Sequence, residues 1–158
     1  MSTPTELGLA RWHELVESKD TSGLRDMIAE DAVFQSPAVH TPQEGRDLVH
    51  LYLTGAVNIL GPEISYVDEW TREREAILEF RTVVDGLDVS GIDRITWDDD
   101  GKITEFTVMI RPVKALHAVI NKMGEELTRQ ADEAGGSEEA GGSEQADGSE
   151  QAGGSEQA

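Results

Sequence analysis

Cysteine is absent from the 158 residues, which excludes a disulfide scaffold, thiol redox chemistry and Cys-ligated zinc. No run approaches the roughly 20 apolar residues that a membrane span needs. The N-terminal MSTPTELGLA has no basic stretch followed by an apolar one, so it does not read as a signal peptide. The expectation is a soluble, cytoplasmic protein. Also missing are GxGxxG after a strand, GxxxxGK followed by Ser or Thr, and GxSxG, which argues against nucleotide binding and serine hydrolase chemistry. There is no HExxH and no His pair at i, i+4, so neither a metal site nor a cofactor is expected. Basic residues are scarce: 13 Lys and Arg face 32 Asp and Glu, for a net charge of −19. A surface so acidic repels phosphate backbones and anionic headgroups, and nucleic acid and membrane are poor partners for it.

The last 25 residues, 134–158, hold no aromatic, no branched aliphatic and no Lys or Arg. They repeat as AGGSEE, AGGSEQ, ADGSEQ and AGGSEQ, a period with no hydrophobic position that stacking can bury. Glu138, Glu139, Glu144, Asp147, Glu150 and Glu156 place −6 there and leave −13 on the rest. Residues 131–158 therefore read as a flexible acidic tail. Residues 1–130 read as one domain, and at about 130 residues it can bury roughly two thirds of its unfolded surface.

Thr3, Pro4 and Glu6 form a capping box with proline at the first helical position. Leu9, Trp12, Leu15 and Val16 follow at helical spacing. The pattern next predicts a short second helix with Leu24, Met27 and Ile28 on one face, then a β-type run at 32–37. Thr41, Pro42 and Glu44 repeat the capping signature, predicting a third helix with Leu48, Leu51, Tyr52 and Ile59 as its apolar positions. From 63 to 112 the period becomes two, in segments 63–71, 74–84, 88–98 and 102–111, an antiparallel meander with a hairpin at 98–101. A last helix carries Val113, Leu116, Ile120, Met123 and Leu127 on one stripe. Helices followed by sequential strands define an α+β fold.

Three segments carry a resemblance: LRDMIAEDAVF at 24–34, IDRITWDDDGKI at 92–103 and FTVMIRP at 106–112. Over about residues 5–127 the chain resembles the nuclear transport factor 2-like superfamily, in its branch of ketosteroid isomerases and SnoaL-like polyketide cyclases. The resemblance implies a cone-shaped curved sheet, mixed or antiparallel, packed by three N-terminal helices and a C-terminal helix around a pocket for a small apolar ligand. It also implies a homodimer across the outer face of the sheet. Ketosteroid isomerisation needs a carboxylate base, and a tyrosine and a protonated aspartic acid to hold the enolate. By the resemblance, Asp93 falls where that aspartic acid lies, Trp12 stands in place of the tyrosine and Ser36 in place of the base. With two of three parts changed, ordinary ketosteroid isomerisation is not expected.

Strand alternation puts Gly91, Asp93, Ile95 and Trp97 on one face, where burial would disfavour a charged carboxylate and leave Asp93 able to donate a hydrogen bond or a proton. The alternative pairs Asp93 with Arg94, Arg81 or Arg111 on a solvated or dimer-facing surface. His40, in the loop before the third helix, is the candidate base; its alternative is a local hydrogen bond. Trp12 is either a ligand-orienting wall or core. Ser36 has no basic neighbour in sequence to activate it. Phe34, Ser36, Tyr52, Phe80 and Phe106 complete the expected ligand-binding set. Glu79, Arg81, Arg94 and Glu105 read as cross-strand pairs on the outer face.

Two functions stay open. One is an enzyme acting on a hydrophobic carbonyl or polycyclic, steroid- or polyketide-like compound by acid/base chemistry, as isomerase, cyclase, hydratase or lyase. The other is a non-catalytic ligand-binding or dimeric interaction module. A pocket with Asp93 and His40 in reach of one point favours the first, and a pocket filled by Trp12, Phe34, Phe80 and Phe106 the second.

Overall fold

The computed structural model describes residues 1–137. Helix α1 (Pro4–Ser18) starts as the sequence dictates: Thr3 Oγ1 accepts from the Glu6 amide at 3.1 Å and Glu6 Oε2 accepts from the Thr3 amide at 2.7 Å. Leu9, Trp12, Leu15 and Val16 are its buried stripe. It stops at Lys19, which adopts the left-handed conformation.

The expected second helix is a single 3-10 turn, Arg25–Met27, because Ile28 is drawn into strand β1 (Ile28–Gln35) and pairs in parallel with Ile103. The second capping signature also fails to open a helix. Gln43 and Glu44 form a short strand, β2, on Phe34 and Val33, and the Gly45 amide donates to Ala32 O. Helix α2 (Arg46–Leu60) begins only after Gly45, whose φ of +100° favours glycine. Sheet pairing has overridden the local signal. The stripe of α2 shifts as well: Val49, Leu53, Val57 and Leu60 are buried, whereas Leu48, Leu51, Tyr52 and Ile59 are half-buried.

Strands β3 (Ser65–Thr71), β4 (Glu75–Val84), β5 (Leu87–Trp97) and β6 (Ile103–Arg111) form the expected antiparallel meander. The curved sheet has the order β2-β1-β6-β5-β4-β3 and is mixed, since β1 runs parallel to β6. Asp85 and Gly86, both at positive φ, join β4 to β5, a second hairpin. Helix α3 (Val113–Ser137) continues past residue 130, where composition had placed the domain end. It buries Ala115, Ala118 and Val119, while Val113 is exposed. The repeat beyond Ser137 lies outside the described residues.

α1, α2 and α3 cover one face of the sheet. That inner face carries Leu78, Phe80, Thr82, Val89, Gly91, Asp93, Ile95, Trp97, Phe106 and Val108, all buried. The outer face carries Glu79, Arg81, Arg94 and Glu105. Arg81 pairs with Glu79 and Arg94 with Glu75, while Glu105 accepts from Gln35.

Candidate active site

Asp93 sits in β5 between Leu78 of β4 and Val108 of β6. It is 4% exposed, one of three buried polar or charged residues among those described. This removes the surface alternative with Arg94, Arg81 or Arg111: its partner is Tyr66, whose hydroxyl donates to Asp93 Oδ2 at 3.0 Å. Tyr66 in turn accepts from the Trp12 indole Nε1 at 2.9 Å. Burial is the main force on the carboxyl, pushing its pKa up from the ordinary 3.8 to about 7, and the Tyr66 hydrogen bond opposes the rise. Burial and the Asp93 charge push the Tyr66 hydroxyl well up. No described hydrogen bond reaches Asp93 Oδ1.

Tyr66 was not legible as a site residue. It is the half-buried position of a strand otherwise exposed, and a register shift between Tyr66 and Asp68 sets which residues turn inward. The weak signal was an aromatic two residues before the polar pair Asp68-Glu69. The Trp12 N–H is taken up by Tyr66, and its ring packs on Phe106 with centroids 5.0 Å apart.

A void of about 20 Å³ lies beside Asp93, lined by Trp12, Leu53, Val57, Tyr66, Phe106 and Val108 among others. Next to it is an outer chamber of about 50 Å³, whose walls include Phe34, Ser36, Tyr52, Ile59, Val119 and Met123. Phe34 stacks on Tyr52 at 5.5 Å and on Phe106 at 6.2 Å, so aromatic rings fill much of the space between helices and sheet. Phe80 lines neither space; its ring packs over Gly91 and edge-on to Tyr66.

Of the expected site residues, the structure thus gathers Asp93, Trp12 and Phe106 around the inner void, and Phe34, Ser36 and Tyr52 around the outer chamber. His40 is exposed and lines neither. Ser36 Oγ accepts from the Ala38 amide and has no basic partner. His13 is edge-on to Tyr66 at 5.4 Å and bonded to Glu69 at 2.8 Å, and lines neither internal space. No cluster of three His, Cys, Asp or Glu suited to a metal occurs among the described residues. None of their helices is long and apolar enough to cross a membrane.

A curved mixed sheet, three helices and a buried carboxyl facing an apolar interior define an α+β cone of the nuclear transport factor 2-like type. Residues 9–106 match the SnoaL-like domain model, and the chain belongs to that family. It is similar to a Pseudomonas aeruginosa structure described as a steroid delta-isomerase, at 34% identity and a TM-score of 0.79, over 84% of this chain and 97% of that one. A Silicibacter pomeroyi protein with a cystatin-like fold is 30% identical, TM-score 0.73, over 79% of this chain and 88% of that one. An epoxide hydrolase/cyclase-like enzyme of pyran ring formation in salinomycin shares the fold at 17% identity and a TM-score of 0.56, over 68% and 90% of the two chains. A search of curated proteins finds no match. The fold thus has isomerase- and cyclase-like neighbours.

Proposed function

We propose that this chain is a small-molecule enzyme of the isomerase or cyclase kind, acting on an apolar carbonyl compound with Asp93 as the proton carrier. The observation behind it is a carboxyl with one oxygen held by Tyr66 and the other free beside an apolar void. With its pKa raised to about 7 by burial, Asp93 can donate Oδ1–H to a ligand oxygen near neutral pH, surrender the proton and take it back. Tyr66 steadies the carboxylate in the interval, and Trp12 fixes the Tyr66 hydroxyl. Thermal-shift screening of apolar carbonyl compounds finds a ligand through the stabilisation that binding confers. Turnover of that ligand then falls at least about a hundredfold in Asp93→Asn, with affinity much less affected. Unchanged turnover and affinity in Asp93→Asn would falsify the assignment.

A second reading, ligand binding without turnover, is supported by the rings that fill the interior and by the scarcity of titratable groups. Asp93 and Tyr66 are the acidic side chains that line the inner void, and no carboxylate or imidazole lines the outer chamber. It is favoured if Asp93→Asn loses affinity and no ligand found is ever converted.

We further propose a homodimer across the outer face. Trp70 pairs with Ile77 and Ile92 with Met109 in register, and Trp70 and Met109 are more than half exposed, an unusual apolar cluster for a solvated sheet. Met109→Glu converts the dimer to a monomer in sedimentation velocity; a monomeric wild type removes the proposal.

A further inference from the structure

Two internal spaces meet at a shared stretch of wall, the neck. Ala56, Leu60 and Val108 line both the void at Asp93 and the outer chamber. Ala56 and Leu60 stand four residues apart and share a face of α2, and Val108 is in register with Asp93 on the adjoining strand. Leu60 and Val108 are both buried. The neck is firmly held: Thr82 Oγ1, itself buried, donates to Leu60 O at 2.8 Å and ties the end of α2 to β4. Val108 is β-branched and stiff about its first torsion.

The two sides differ in reserve. About 20 Å³ at Asp93 is room for one water-sized group. The outer chamber, about 50 Å³, has Met123 in its wall. That flexible thioether can swing aside and enlarge it. A pocket that encloses a drug-sized or fused polycyclic ligand holds roughly 300–1,000 Å³.

We propose that Leu60 and Val108 impose a width limit that restricts the substrate to acyclic or single-ring carbonyl compounds. The carbonyl, on a slender stem, passes the neck to Asp93 Oδ1, and the apolar remainder stays in the outer chamber where Met123 yields. Fused polycycles cannot bring a carbonyl to Asp93 past these two side chains. The proposal rests on the reading of Asp93 given above.

The full chain is titrated with heptanone, cyclohexenone and progesterone, a four-ring enone, and binding is read from saturable shifts of the Leu60 and Val108 methyl signals. Heptanone and cyclohexenone shift those signals and progesterone does not. Val108→Ala, and Leu60→Ala as an independent variant, raise the affinity for progesterone roughly tenfold or more, the scale of steric discrimination by a few methyl groups. Progesterone saturating the wild type as tightly as the small ketones overturns the width limit. If a ketone that the wild type converts still binds Asp93→Asn but is no longer turned over, the reading of Asp93 survives alone. Neck variants that leave progesterone binding unchanged also overturn it. Silence from all three ketones removes both proposals.

Discussion

Wild-type protein loses stability relative to Asp93→Asn as the pH rises from about 4 to about 8, by an amount on the order of 4 kcal/mol. The figure follows from a carboxyl pKa of 3.8 in the unfolded chain and about 7 in the folded one, at roughly 1.4 kcal/mol per tenfold change in proton affinity. Between those values the folded state holds the proton and the unfolded state has released it, so each step up in pH favours unfolding. The favourable contribution of the neutral acid is complete below the unfolded value and is lost by the time the pH passes the folded one. Asparagine keeps an acceptor for Tyr66 but has no proton to lose. Its stability advantage therefore opens with pH. Urea unfolding of both proteins across that range measures the gap, and a gap that stays constant with pH refutes a buried neutral Asp93. Tyr66→Phe removes the hydrogen bond that lowers the pKa. It moves the midpoint of the wild-type slope to higher pH.

Gly8→Ala destabilises the protein although it lies in a helix, by about 3 kcal/mol, the upper end of the usual cost of overpacking. Helix propensity alone predicts the opposite sign, since alanine exceeds glycine by about 1 kcal/mol in a helix interior. A Cβ at Gly8 would lie 2.2 Å from Trp97 Nε1 and 2.4 Å from Cε2. Trp97 is 2% exposed at the end of β5, and a rigid indole so enclosed has nowhere to turn. α1 must either move off the sheet or bend. Gly124→Ala in α3 supplies the matched control, because a Cβ there meets nothing within 4 Å. It stabilises by roughly 0.5–1 kcal/mol. Paired melting curves decide the matter: two shifts of the same sign mean that the Gly8–Trp97 contact does not set the fit of α1.

What the sequence disclosed depended on how far apart the deciding contacts lie. The meander from β3 to β6 was legible because its alternation is local, and so were the inward turn of Asp93 and the company of Ile95 and Trp97. The capping box of Thr3 and Glu6 was legible for the same reason. Thr41 and Glu44 offered an equally good local signal, yet Gln43 and Glu44 pair with β1 instead, and no neighbour in sequence announces that. Leu48 and Tyr52 looked like the buried stripe of α2 because that helix is apolar on several sides. Of the half-buried residues, Tyr52 and Ile59 face the outer chamber, so amphipathicity could not separate core from cavity wall. Tyr66 stayed hidden because its inward turn depends on a bulge and on a hydroxyl partner 27 residues away. His40 was attractive for its chemistry alone; its loop gives Ser36, Pro37 and Ala38 to the outer chamber, while His40 is exposed and lines neither internal space.

The parallel pairing of β1 with β6 has a bearing on how the molecule comes into being. Residues 28–35 leave the ribosome early, but the edge they must join is built from residues 103–111. Until that last strand emerges, β1 has only the two residues of β2 beside it, and Phe34 lacks Phe106. Closing the sheet spans most of the domain in one step, the kind of long-range event that slows folding. A nascent chain stalled before residue 103 would hold an unpaired apolar strand and an exposed Asp93, so the compartment and the acid at its centre are assembled together and late.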